Sequence, residues 1–153
     1  HPDISLTYFE IATVFDKKGE YDLALDFYKK FIETNNHEII SDENSSFYFI
    51  LGSCLKELFN YKLSIYAFSK GFINENNGDY PFQIAQCHEA LGNKIDALKY
   101  FIESAEIRKE DPDCGIEDEA TIESIENANR IAKELDKEIE LPEWILQNKN
   151  IKS

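Results

Sequence analysis

The sequence of 153 residues is poor in the residue types and runs on which several protein classes depend. Its three cysteines form no CxxC pair, so a disulfide framework is not expected and a reducing cytosol fits this usage. Its six glycines form no phosphate-binding loop, and no HExxH or calcium-loop pattern occurs. No apolar run approaches the ~18 residues that a membrane helix needs. We therefore expect no cofactor, no metal and no direct membrane insertion.

Positive charge is scarce as well. The chain has 16 lysines and arginines against 30 acidic residues, which gives a net charge of -14. Nucleic acid and anionic membrane surfaces would be repelled at long range, so we expect no nucleic-acid partner. Fifteen of the acidic residues lie between Glu103 and Glu143, where only five bases occur. Such a run is typical of a solvated helix face, and a site for a basic partner is the alternative.

Catalytic residues are not evident in this sequence. The histidines are His1, His37 and His88, and only His88 has a cysteine beside it, at Cys87. Neighbours on a helix point about 100° apart, so these two side chains cannot pair as nucleophile and base. We expect no enzyme activity, unless through an arrangement that sequence spacing does not reveal.

The sequence does contain a helix–turn–helix pattern that repeats three times. Each copy places aromatic and small apolar residues at positions typical of the tetratricopeptide repeat, whose period is about 34 residues. The first copy has Tyr8, Ile11, Ala12, Phe15, Gly19, Tyr21, Ala24, Tyr28 and Phe31 at these positions. The second has Tyr48, Leu51, Gly52, Leu55, Tyr61, Phe68 and Gly71, and the third has Pro81, Ile84, Ala85, Gly92, Ala97 and Phe101.

The copies depart from the pattern at a few positions. Phe59 stands where a turn glycine is usual, and we expect Asn60 to adopt the left-handed conformation instead. Ser64 replaces an alanine, His88 an aromatic residue and Lys94 a tyrosine. The spacing between the first and second copies also exceeds the repeat period, which predicts an insertion within residues 34–46.

Small residues indicate where the paired helices come close. Gly52 and Ala85 are predicted at the close approach of two helices, where a larger side chain would force them apart. Cys54 and Cys87 share one repeat position and are interpreted as packing residues, the alternative being a redox or metal role.

The predicted fold class is all-α, a tetratricopeptide-repeat helical solenoid forming one domain over residues 1–153. Its three repeats are predicted at about 5–36, 45–76 and 78–110. An acidic capping helix follows at about 112–139, with Ile116 and Ile139 on its apolar stripe. A short C-terminal helix is predicted at 142–149. Pro81 predicts that the third hairpin begins there, excluding Tyr80 from the helix. Trp144 is expected to pack on the cap rather than face a partner. An ordinary helical bundle with accidental repeats is the alternative.

Three phenylalanines occupy the repeat position that faces the concave groove of such a stack: Phe9, Phe49 and Phe82. We interpret them as an apolar ladder that binds an extended peptide, the alternative being that they are core residues. The predicted groove has six further residues around this ladder, which are Leu6, Thr13, Ser53, Lys56, Gln86 and Glu89.

The central stretch resembles the class II chaperones of bacterial type III secretion, the SycD/LcrH/IpgC group. The resemblance lies in LGSC (51–54) and above all in PFQIAQC (81–87), with Gly92 ten residues after Phe82. It implies a non-enzymatic protein of the bacterial cytoplasm that binds hydrophobic translocators through a Pro/Leu-containing segment held in the groove. It also implies a homodimer, and it makes the three phenylalanines groove residues. A general tetratricopeptide scaffold that joins folded proteins is the alternative.

Overall fold

A computed structural model describes residues 2–36, 47–135 and 141–148 of the chain. Over these residues the structure is helical throughout, which confirms the all-α prediction. The helices are α1 (Pro2–Lys17), α2 (Tyr21–Asn36), α3 (Phe47–Glu57), α4 (Tyr61–Asn74), α5 (Asp79–Ala90), α6 (Lys94–Glu110), α7 (Glu119–Glu134) and α8 (Glu143–Leu146). None of these described helices combines the length and apolarity that crossing a bilayer requires.

The chain divides into two compact units, His1–Gly71 and Phe72–Ser153, and each is described on its own. The predicted division into one domain with three repeats stays a prediction. The insertion predicted within residues 34–46 falls mostly outside the described residues, and α2 continues as far as Asn36.

The first unit is built from two helical hairpins around one apolar core. Aliphatic and aromatic side chains of α1, α2, α3 and α4 share this core, and its buried members are Ala12, Ala24, Leu25, Tyr28, Ile32, Phe47, Leu51, Leu55, Leu63 and Ala67. The apolar residues recur every three or four positions, so each helix turns one stripe toward this core.

The same C-terminal turn ends α1, α3 and α5. In each case the second residue after the helix has a positive φ, which is 77° at Gly19, 61° at Phe59 and 81° at Gly92. The next backbone N–H donates to the carbonyl oxygen five residues earlier, at N···O distances of 2.8 to 2.9 Å. This hydrogen bond defines the Schellman motif, for which glycine is the usual residue because it has no Cβ.

The expectation that Asn60 takes the left-handed conformation is wrong, because Phe59 itself adopts it. Asn60 caps α4 instead: its side-chain oxygen accepts from the N–H of Leu63 at 3.3 Å, and its amide nitrogen donates to Asp16 at 2.8 Å. The cap holds Asn60 outside the helix, so the positive φ that closes the turn falls on the residue before it.

Gly52 confirms the predicted close approach of α3 and α4. A Cβ at this position would lie 2.7 Å from two carbon atoms of the Phe68 ring. Ser64, which replaces the usual alanine, donates its hydroxyl to the carbonyl oxygen of Gly52 at 2.7 Å. The buried hydroxyl is therefore paired, and it fastens α4 to α3 at the point of closest contact.

The second unit contains α5 to α8, and α5 begins earlier than predicted. The helix starts at Asp79 and includes Tyr80, so the prediction that Pro81 excludes Tyr80 from the helix is wrong. The first turn of a helix has N–H groups without an intrahelical acceptor, so proline in the third position loses no hydrogen bond. The N–H of Tyr80 bonds back to Asn77 at 3.2 Å.

The capping helix α7 also differs in its start. It begins at Glu119 rather than near residue 112, because the side chain of Asp118 accepts from the N–H of Ala120 at 2.9 Å and caps it there. Ile116 therefore lies in the preceding turn and is exposed, not on the apolar stripe. The predicted stripe residue Ile139 lies outside the described residues.

Trp144 of α8 packs as predicted. It lies against a small core formed by Ala105, Ile125 and Ile145, and the ammonium of Lys109 sits 4.3 Å from its ring centroid. The buried Ile145 anchors α8 to α6 and α7 within this unit.

We predict that Phe59→Gly stabilises the protein by roughly 0.5–1 kcal/mol, since an L-residue in the left-handed conformation costs about 1–2 kcal/mol and glycine recovers only part of it through its own entropy. The ring is 78% exposed, so little packing is lost. Urea denaturation would measure the change. Phe59→Ala removes the ring while retaining a Cβ, and an equal gain in this control would contradict the backbone explanation.

Gly52→Ala is expected to lower the free energy of unfolding by roughly 1–3 kcal/mol, as for other overpacked cores. The clash with the buried Phe68 ring outweighs the gain of about 1 kcal/mol that alanine offers over glycine in a helix. The double variant Gly52→Ala/Phe68→Leu should be less destabilised than the sum of its single variants. Additive effects in urea denaturation would show that the ring and the added methyl do not collide.

Candidate peptide-binding site

On α1 the predicted site residues differ in what they expose. Leu6 is 57% exposed, so its side chain is open to a ligand. Phe9 is half-buried, with its ring centroid 5.7 Å from Tyr28 and 5.2 Å from Phe31. The hydroxyl of Thr13 donates to the carbonyl oxygen of Phe9 at 2.9 Å. Of the residues predicted for the site on this helix, Leu6 is therefore the open apolar one, and Phe9 presents only part of its ring.

On α3 the predicted residues form a strip along one face. Phe49, Ser53 and Lys56 are four and three residues apart, so they lie above one another on the helix, and all three are half-buried. The Phe49 ring meets Phe68 edge to face, with 5.5 Å between centroids. The strip thus offers an apolar ring edge, a hydroxyl and the only cation among the nine predicted site residues.

The ring of Phe82 on α5 is not the open surface that a ladder requires. The side chain is 6% exposed and packs edge to face on Phe101, with 5.4 Å between centroids. Its other neighbour is Arg108, whose guanidinium carbon lies 4.8 Å from the ring centroid. Phe82 therefore belongs to the core of the second unit, the alternative that the sequence left open for all three rings.

Arg108 is a buried arginine that sequence analysis did not single out. Its guanidinium donates to Asp79 at 2.6 Å, to the carbonyl oxygen of Ala120 at 2.8 Å and to the hydroxyl of Ser124 at 2.6 Å. A buried charge is tolerated only when such partners replace water, and here they come from α5 and α7. Arg108 thereby ties three helices together and holds the face of Phe82.

Glu89 is also engaged within its own unit. Arg130 of α7 binds its carboxylate with both nitrogens, at 2.6 and 2.9 Å. The hydrogen bonds from Arg130 hold the pKa of Glu89 below its usual value. Lys94, which replaces the usual tyrosine, pairs with Glu134 at 3.2 Å. A ligand that binds Glu89 must therefore compete with Arg130. Gln86, which lies one turn earlier on α5, is half-buried.

His88 takes the place of the usual aromatic residue and behaves as one. Its ring stacks on Tyr100, with 5.5 Å between centroids and 9° between planes. Its Nδ1 is buried without a hydrogen-bond partner among the described residues. Burial lowers the pKa of His88, and Lys99 lowers it further, while Asp96 opposes the shift. The imidazole is a packing group that resists protonation.

The three cysteines, all among the described residues, form no disulfide bond. Cys87 is buried, while Cys54 and Cys114 are half-buried. Burial raises the pKa of Cys54, which disfavours the reactive thiolate. No cluster of three or more His, Cys, Asp or Glu side chains suited to a metal ion occurs in the described parts of the chain.

The paired helices and their turns match a known repeat. Residues 6–38 match the family described as Tetratricopeptide repeat. Solved structures of proteins with this kind of architecture match nearly the whole chain. The chain has a tetratricopeptide-repeat fold. Compared with curated proteins, the sequence has no significant match.

Three solved structures are similar to this chain, and two of them are described as type III secretion proteins. PcrH of Pseudomonas aeruginosa, in complex with the chaperone binding region of PopD, has a TM-score of 0.60 and 17% identity, covering 89% of this chain and 96% of that one. A T3SS complex from Aeromonas hydrophila has a TM-score of 0.60 and 18% identity, with 90% and 87% covered. SycD of Yersinia enterocolitica with a peptide of the translocator YopD has a TM-score of 0.56 and 18% identity, with 88% and 96% covered. The predicted resemblance is thus confirmed at the level of the fold.

Lowering the pH should destabilise the protein through His88. Its folded-state pKa lies below the 6.5 of an unperturbed histidine, so the unfolded chain binds the proton first as the pH falls through 6.5. The contribution of neutral His88 is complete above pH 6.5 and is lost below it. His88→Phe, which keeps the stacked ring, should therefore lose less stability than the unmodified protein between pH 7.5 and pH 5.5 in urea denaturation. An identical loss in both proteins would refute this assignment.

Proposed function

We propose that this protein is a chaperone of type III secretion that binds an extended segment of a hydrophobic translocator and keeps it soluble in the bacterial cytoplasm. The observation that carries the proposal is the fold shared over nearly full length with PcrH bound to a segment of PopD. The PFQIAQC stretch of α5 supports it independently, since it is the part of the sequence that resembles these chaperones. The protein acts by binding rather than by catalysis.

In this proposal the first unit supplies the main client contacts. Leu6 offers an open aliphatic side chain, and the strip of Phe49, Ser53 and Lys56 offers apolar and polar contacts on α3. An extended client with Pro and Leu anchors gains most from such a mixture, because apolar side chains provide affinity and polar groups fix the register. The assignment of Phe82, Gln86 and Glu89 of the second unit to the site stays a prediction.

Co-expression with a translocator from the same host tests the solubility role. The client should move from the insoluble to the soluble fraction when this protein is present, and the two should co-purify. Equal insolubility with and without the protein would end the proposal. A homodimer belongs to the same proposal, since SycD has been solved as a dimer, and light scattering of the free protein measures it.

A scaffold that joins folded proteins is the second candidate. It is favoured by the internal engagement of Phe9, Phe82 and Glu89, which reduces the apolar surface left for a peptide. Binding of a short extended client peptide with the affinity of the whole client would favour the chaperone. A partner that binds only as a folded protein would favour the scaffold.

Leu6→Ser is expected to weaken binding of the client peptide by roughly 1–2 kcal/mol, the value of burying one such side chain in a complex. Ile4→Ser is the matched control, because Ile4 lies on the same helix, is 51% exposed and points about 200° away from Leu6. Isothermal titration of both variants measures the difference. If both variants weakened peptide binding equally, or if neither weakened it, Leu6 would not belong to the site.

A further inference from the structure

A trough runs along one face of α6 in the second unit. It consists of two adjoining clefts of about 540 and 490 Å³ that share Glu106. The first cleft is lined by Ile95, Leu98, Lys99, Ile102, Glu103 and Glu106. The second is lined by Asn76, Glu106, Ile107, Glu110, Asp111 and Pro112. We call this surface the α6 trough, and none of the nine residues predicted for the peptide site belongs to it.

The N-terminal end of the α6 trough is apolar. Ile95 is 66% exposed, so its aliphatic side chain is open to a ligand. Leu98 is buried one turn later, and Ile102 is half-buried against the small core of Ala105, Ile125 and Ile145. Three aliphatic residues on successive turns thus present one apolar stripe to the cleft, and Ile95 contributes little to folding.

The C-terminal end of the trough is acidic and incompletely neutralised. Glu103 and Glu106 have no ion-pair partner among the described residues, although they lie one turn apart and repel each other. The nearby Lys109 is 3.3 Å from Glu110 and also stacks over Trp144. A basic group placed beside the two glutamates would relieve their repulsion, so this end is complementary to lysine or arginine.

We propose that the α6 trough docks an extended segment of a partner protein that carries aliphatic residues at one end and basic residues at the other. The distance from Ile95 to Glu110 is about 22 Å at 1.5 Å per helical residue, which an extended chain spans with about seven residues. The aliphatic side chains lie on Ile95 and Leu98, and the basic ones pair with Glu103 and Glu106. Acidic segments and nucleic acid are repelled from the same surface.

Fluorescence polarisation tests this with the full chain and a labelled nine-residue peptide that has two leucines near one end and two arginines near the other. Ile95→Ser should weaken its binding about tenfold, since most of a leucine–isoleucine contact is lost. The matched control is Ile73→Ser, because Ile73 is 84% exposed on α4 and should have no effect. Glu103→Gln/Glu106→Gln should weaken binding about three- to tenfold at low salt, whereas Glu123→Gln/Glu126→Gln on α7 should not.

Three results would overturn the proposal. The first is equal binding of a peptide with glutamates in place of the arginines. The second is binding that Ile95→Ser leaves unchanged. The third is evidence that something else occupies the trough. Peptide binding that occurs only when residues 149–153 are deleted would show that the end of the chain itself fills it. A dimer seen by light scattering that Ile95→Ser abolishes would show that a second copy of the chain fills it. Loss of binding in the two trough variants but not in their controls supports the proposal.

Discussion

The contact between the Phe68 ring and the bare backbone of Gly52 sets how closely α3 and α4 approach. Two helices can come together at this distance only where one of them has no side chain, and the ring then fills the space that a Cβ would have taken. The hydroxyl of Ser64 uses the same proximity to reach the Gly52 carbonyl. Because the Phe49 ring packs edge to face on Phe68, this packing also positions the strip of Phe49, Ser53 and Lys56 in the candidate peptide site.

The second unit is held by polar contacts as well as apolar ones. Arg108 collects acceptors from α5 and α7, while Ser104 donates to the carbonyl oxygen of Gly78 and lies 3.0 Å from the hydroxyl of Ser124. Such a network is directional, so it fixes the rotation of the helices more narrowly than apolar packing does. It also explains why Phe82 is held in place between a ring edge and a guanidinium.

These arrangements separate residues that support a surface from residues that form one. Phe82 and Glu89 are occupied by their own unit, through Arg108 and Arg130, whereas Leu6 on α1 and Ile95 on α6 remain open to solvent. An exposed aliphatic side chain costs little in the folded protein and gains free energy only when a partner covers it. A partner that covered either of these two side chains would therefore gain free energy.

The sequence by itself determined the helical hairpins, their turn glycines and the small residue at position 52, because these follow from periodicity and local backbone chemistry. It also located Trp144 in the packing of α8. The sequence-based predictions for Asn60, Tyr80 and Ile116 were wrong. At these positions a helix cap or the actual start of a helix lies a few residues away from where the sequence pattern placed it.

Only the tertiary structure decided which of the predicted groove residues are open. Phe82 occupies the same repeat position as Phe49, yet its ring is also covered by Arg108, which lies 26 residues further along the chain and reaches the ring only through folding. The α6 trough was equally invisible, since its apolar and acidic ends come from residues that look like an ordinary solvated helix face. The exposure of a particular side chain depends also on neighbours from distant parts of the chain, and the repeat pattern of its own helix does not name them.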